Sequence, residues 1–134
     1  MDASHGNCLD PRRSFSGYIF QLDHAAVSWK CRKQQSVATS TCEAEYMALA
    51  MTINYHLWLM RGLQGIFKID IPAAPFCDSN TAIDGAYNPK LNDRSKQINV
   101  AYHFTREQID QGNVSVIYVL SEENLPDIYT KEMT

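Results

Sequence analysis

Residues 40–64 constrain the fold of this chain more than any other stretch. Ser40 and Glu43 stand at the spacing of a reciprocal helix cap, and Tyr46, Leu49, Ile53, Leu57, Met60 and Leu63 follow at intervals of three and four. The pattern predicts a long helix over about 42–64, closing before Gly65. Upstream, Gly17-Tyr18-Ile19-Phe20-Gln21-Leu22 has the aromatic and β-branched content of a strand, Asp23-His24 turns the chain, and Ala26-Val27-Ser28-Trp29 reads as the hairpin partner. A third extended piece is expected around Ser36, Val37 and Ala38.

Downstream, Ala74-Pro75-Phe76-Cys77-Asp78 is a short apolar approach to an acid, and a short helix should follow it and end before Asn88-Pro89. A second long helix is predicted over about 96–111, stopped by Gly112. The apolar run 114–120 reads as a buried strand, Glu122-Glu123-Asn124 as a turn, and 125–131 as a terminal helical piece. This order fits an α/β fold with a mixed sheet and helices on its faces. With 134 residues, 45% of them hydrophobic, the chain is expected to form one domain, residues 1–134.

Composition narrows the function classes. A net charge of −3 argues against a protein that grips nucleic acid over its whole surface, so basic contacts must be local: Arg12, Arg13, Lys30, Arg32 and Lys33 in the first quarter, Arg94, Lys96 and Arg106 later. Such groups also arise as plain solvated faces. Cys8, Cys31, Cys42 and Cys77 form no close pair in sequence and are read as reduced thiols, mostly packing residues. No membrane-spanning or signal segment is expected, which predicts a soluble intracellular protein, cytoplasmic or nuclear. Trp29 and Trp58 are read as core, although Trp29, beside Lys30, Arg32 and Lys33, is also placed to stack on a nucleotide.

Four acids are placed where chemistry is possible. Asp78 ends a predicted strand, Asp127 opens the last helical piece, Glu45 lies in the first turn of the long helix, and Asp2 leaves the start of the chain like a residue leaving a strand. If they converged, their repulsion would demand cations between them, and hard divalent ions held by carboxylates activate water against phosphodiesters. Each acid has a plainer reading as well: Glu45 as a helix-terminus charge, Asp78 and Asp127 as N-caps, and Asp2 as a terminal residue. No HExxH, nucleophile-elbow or phosphate-loop motif is present, and His56 and His103 are read as helix packing or surface residues.

Several phrases resemble one family in order. Asp2-Ala3-Ser4, Arg12-Arg13-Ser14-Phe15-Ser16-Gly17-Tyr18, Val27-Ser28-Trp29-Lys30 with Lys33-Gln34, and Ser40-Thr41-Cys42-Glu43-Ala44-Glu45-Tyr46-Met47-Ala48-Leu49 come first. Trp58-Leu59, Phe76-Cys77-Asp78-Ser79-Asn80, Asn88-Pro89, Arg94-Ser95-Lys96, Tyr102-His103-Phe104-Thr105-Arg106-Glu107 and Asp127-Ile128-Tyr129-Thr130-Lys131 continue it. Together they resemble the ribonuclease H domain of copia-type LTR retrotransposon polyproteins, of a fungal-like kind, and cover nearly the whole chain.

The resemblance implies a ribonuclease H-like fold, a mixed five-stranded sheet with helices on both faces, and magnesium-dependent cleavage of the RNA strand of RNA–DNA hybrids. It implies Asp2, Glu45, Asp78 and Asp127 as catalytic residues and ligands of two Mg²⁺ ions, with Mn²⁺ as substitute. Lys30, Arg32, Lys33, Asn80, Arg94, Lys96 and Asn124 are the expected substrate-binding residues. The sequence departs from the family where only Met1 precedes Asp2, where Pro126 precedes Asp127, and at Gln97 and Asn99. The first strand is thus expected to be largely missing, and a homodimer is the expected way of completing it. The alternative is a catalytically weak or inactive host-adopted remnant that binds nucleic acid or protein; a third is a fragment that needs its reverse-transcriptase neighbour to fold.

Overall fold

A computed structural model describes residues 2–4, 13–35, 37–38, 40–68, 74–88 and 96–125, with only the backbone described at 2–4 and 96–98. Strand β1 (Asp2–Ser4) pairs antiparallel with β2 (Phe15–Leu22), and β2 pairs antiparallel with β3 (Ala25–Lys33). The β2–β3 hairpin turns at Asp23 and His24, both at positive φ (49° and 65°), which suits the right-handed twist of the two strands. Ser40 caps helix α1 (Thr41–Phe67), its hydroxyl accepting from the Glu43 N–H at 3.2 Å. Then come β4 (Phe76–Cys77), α2 (Asn80–Tyr87), α3 (Lys96–Asp110), β5 (Ile117–Tyr118) and a 3-10 turn over Ser121–Glu123. Strands β4 and β5 are parallel, so both strand directions occur, in sheets ordered β1-β2-β3 and β4-β5 among the described residues.

Helix α1 is the centre of the packing. It lies against β1, β2, α2 and α3, and its Tyr46, Leu49 and Ile53 are fully buried with Tyr18 of β2, Cys77 of β4, Ala82 and Ala86 of α2, and Val114 and Val116. Tyr46 stacks on Tyr102 of α3, ring centroids 4.2 Å apart and 12° from coplanar. Gly112, at φ +74°, closes α3 by donating to the Ile109 carbonyl, while Asn113 donates to that of Gln108.

Several expectations are corrected by this packing. Helix α1 passes through Gly65 to Phe67, because a glycine weakens a helix without ending it, and stops where Lys68 turns left-handed (φ 52°). Strand β3 runs on to Lys33, while Val37 and Ala38 belong to no strand and Ser36 lies outside the described residues. The run 114–120 yields a strand of two residues; Val114 and Val116 are buried, but Ile117, Tyr118 and Leu120 are exposed. Trp58 is 70% exposed because it sits off the 46–49–53–57–60 stripe, and Trp29 is 63% exposed because it alternates with Ser28, bonded to Tyr18 of β2, and Lys30, bonded to Tyr55 of α1. The terminal helical piece expected over 125–131 lies beyond the described residues, Leu125 apart.

Among the described residues β1 pairs with β2 as far as Asp2 opposite Gly17, and β2 continues to Leu22. Beside that further stretch is a groove of about 440 Å³, lined by residues 19–21 of β2, Thr52 and His56 of α1, residues 74–76 at β4, and Val119, Glu123, Asn124 and Leu125.

Candidate metal centre

Two independent pieces of local structure bring acids together. Strand β4 is held to β5 by hydrogen bonds from Ile117 N–H to the Pro75 carbonyl and from Val119 N–H to the Cys77 carbonyl, each 3.0 Å, so the chain leaves the sheet at Asp78 in a fixed direction. Ser79 then caps α2, its hydroxyl accepting from the Ala82 N–H at 3.2 Å. Asp78 thus stands on the switch from strand to helix that the sequence predicts. Glu45 comes from α1, one residue beyond its first turn, and is only 6% exposed.

The carboxylates of Glu45 and Asp78 meet, and the Cys77 sulfur meets both: one ligand atom from each lies within 4.8 Å of the others. Cys77 is 0% exposed. Burial pushes its thiol up to about 11; the Ser79 backbone opposes that, and the Glu45 and Asp78 carboxylates add to it. A thiol raised that far keeps its proton at neutral pH, which leaves the two carboxylates as the hard oxygen donors of the cluster. The sequence reading of Cys77 is a reduced thiol among mostly packing cysteines, and nothing in its spacing separates a buried strand cysteine from a metal-binding one.

Gln34, to which the sequence assigns no role, braces the backbone next to Glu45. Gln34 is buried just after β3, and its side-chain amide donates to the Ser16 hydroxyl (2.7 Å) and to the Ala44 carbonyl (2.9 Å). Its own N–H donates to the Ser14 carbonyl at 2.7 Å. Gln34 thereby ties β2 to the first turns of α1, one residue from Glu45.

The other expected site residues are distributed as follows. The backbone of Asp2 is in β1, which packs against α1, while its side chain lies outside what is described. Asp127 and Arg94 lie outside the described residues, as do the side chains of Lys96 and Gln97 and the departure at Pro126. Asn80 opens α2, exposed, two residues past Asp78. Lys30 donates to the Tyr55 hydroxyl of α1 and lies over that ring, 4.7 Å from its centroid; the hydrogen bond from Lys30 is the main cause holding the Tyr55 phenol below its ordinary value. Arg32 and Lys33 line a groove of about 260 Å³ with Ser16, Gln34, Met47 and Met51. Asn124 is buried and lines the larger groove with His56.

No family model matches the chain. It is 38% identical over 130 residues to the retrovirus-related Pol polyprotein from transposon TNT 1-94 of Nicotiana tabacum, covering 97% of this chain and 10% of the polyprotein. To the retrovirus-related Pol polyprotein from transposon RE1 of Arabidopsis thaliana it is 33% identical over 134 residues, covering 99% of this chain and 9% of the polyprotein. The Transposon Ty1-DR1 Gag-Pol polyprotein of Saccharomyces cerevisiae shares 27% over 133 residues, 98% of this chain and 8% of that one. The chain therefore spans about a tenth of the length of the relatives it matches. Among solved structures it is similar to the N-terminal ribonuclease H domain of Rv2228c from Mycobacterium tuberculosis, with a TM-score of 0.62 and 15% identity over 92% of this chain and 83% of the other. It is also similar to LC11 ribonuclease H1, crystallised with an RNA/DNA hybrid, with a TM-score of 0.63 and 13% identity over 96% of this chain and 89% of that one.

Proposed function

Because this chain belongs with the copia-type retrotransposon Pol polyproteins and has the ribonuclease H fold, we propose that it is a magnesium-dependent endonuclease that cleaves the RNA strand of RNA–DNA hybrids. The observation that carries the proposal is the convergence of Glu45 and Asp78 from separate elements. Two carboxylates at that separation are the donors that Mg²⁺ takes, with Mn²⁺ as substitute, and the protonated Cys77 thiol does not compete for a hard ion. In this reading Asp2 and Asp127 complete a quartet around two ions. Bound ions supply positive charge to the attacking and departing oxygens of the phosphodiester.

The chain's own residues orient that chemistry. Glu45 is held by burial on a long helix and by the Gln34 tie to the neighbouring Ala44, while Asp78 is partly open to solvent. Arg32 and Lys33 line a groove on the same helix and are proposed to hold backbone phosphates, with Asn80, Arg94, Lys96 and Asn124 as further contacts. Lys30, engaged by Tyr55, positions this edge of the sheet and reaches substrate only if it exchanges partners.

The test is cleavage of an end-labelled RNA–DNA hybrid in Mg²⁺ or Mn²⁺ by the wild type and by Asp78→Asn. The RNA strand should be cut, and the substitution should slow cutting by roughly 100- to 1000-fold, since charge stabilisation by such ions is worth several kcal/mol. Absence of cleavage by a folded wild type would replace the nuclease with the host-adopted remnant.

A further inference from the structure

We propose that Glu45, Cys77 and Asp78 also form a site for a soft divalent cation of the zinc or cadmium kind, which binds through the Cys77 sulfur and expels magnesium from the same carboxylates. The inhibition that follows rests on the nuclease reading above; the binding itself does not. Three side chains of two donor types, from α1 and the end of β4, have their ligand atoms within 4.8 Å of one another. In a tetrahedral zinc site, with bonds of about 2.0–2.3 Å, adjacent ligand atoms lie about 3.5 Å apart, so closing the cluster needs side-chain adjustments of roughly an ångström. Three protein ligands with a fourth position open to water or substrate is a common zinc arrangement.

Burial and exposure divide the roles. Cys77 and Glu45 are buried, and Asp78, partly open to solvent, provides the way in. A thiolate distinguishes cations more sharply than a carboxylate does. Magnesium, hard and held through oxygen, gains nothing from sulfur, whereas zinc and cadmium form strong sulfur bonds, the thiol proton leaving to solvent as the bond forms. The two ion types therefore compete for Glu45 and Asp78, and only the soft one also uses Cys77. Cys31 and Cys42 are not in this cluster.

The experiment uses the full chain carrying Cys8→Ser, Cys31→Ser and Cys42→Ser, so that Cys77 is the one thiol, titrated anaerobically with cadmium chloride. One ultraviolet thiolate-to-cadmium charge-transfer band per protein is expected, surviving a large excess of Mg²⁺ and disappearing in Cys77→Ser. Glu45→Gln and Asp78→Asn keep the thiol but should each weaken cadmium binding tenfold or more, which a thiol binding alone would not show. These two variants decide the matter even if Cys77→Ser fails to fold. No band, or a band whose affinity is unchanged in Glu45→Gln and Asp78→Asn, overturns the site. Where hybrid cleavage is measurable, zinc should inhibit the chain with Cys77 at least tenfold more strongly than Cys77→Ser. If cleavage is absent while the band behaves as expected, only the nuclease reading fails; if cleavage occurs without the band, only this one does.

Discussion

Burial lowers the His56 imidazole below its ordinary value of 6.5, because the charged form loses hydration beside Phe20, whose ring centroid is 5.6 Å away. Its Nε2 is buried with no hydrogen-bond partner among the described residues. The folded chain then binds this proton more weakly than the unfolded one, so the stability present at neutral pH declines as pH falls below 6.5 and keeps declining until folded His56 is also charged. Between about pH 7.5 and about pH 5.5 the wild type should lose more in Tm than His56→Gln, and equal losses contradict the assignment. Gln34 bears on a different property. Gln34→Ala leaves the buried Ser16 hydroxyl and Ala44 carbonyl without that amide and should cost about 1–3 kcal/mol in denaturant unfolding, with a fall in hybrid cleavage as Glu45 loosens. A stability change under about 0.5 kcal/mol would show that the tie is incidental.

Among the elements, α1 separates buried positions from exposed ones most sharply. Leu49 is fully enclosed, so Leu49→Ala should cost roughly 2–5 kcal/mol, whereas Trp58→Ala, on the exposed side, should stay within about 0.5 kcal/mol. Denaturant midpoints for the two variants check this directly, and a large loss from Trp58→Ala would mean that its side of the helix is covered. In α2, a Cβ at Gly85 would stand 2.5 Å from the Tyr102 hydroxyl oxygen, and that ring can move only by leaving its stack on Tyr46. Gly85→Ala should therefore destabilise by about 1–2 kcal/mol despite alanine's better helix propensity, as read by thermal unfolding. The stripe from Tyr46 to Met60 and the Ser40 cap made α1 legible in the sequence, because helical periodicity and capping are local. The exposure of Trp29 and Trp58 was not legible, since it depends on which neighbour each face meets. The brevity of β5 was hidden for a similar reason: an apolar run records hydrophobicity without recording what covers it.

For the whole molecule, element order carried the α/β class and the placement of Asp78, and the family phrases carried the ribonuclease H fold that the solved relatives share. The meeting of Glu45 with Asp78 was legible as a possibility only, because spacing along the chain does not fix distance across it; the inclusion of Cys77 was not legible at all. The function proposed depends on these carboxylates holding cations together. Anomalous diffraction from crystals soaked in Mn²⁺ measures that directly. A peak within about 2.0–2.4 Å of carboxylate oxygens of both Glu45 and Asp78 is the predicted result, and manganese bound only elsewhere, with both side chains free of it, contradicts the proposal.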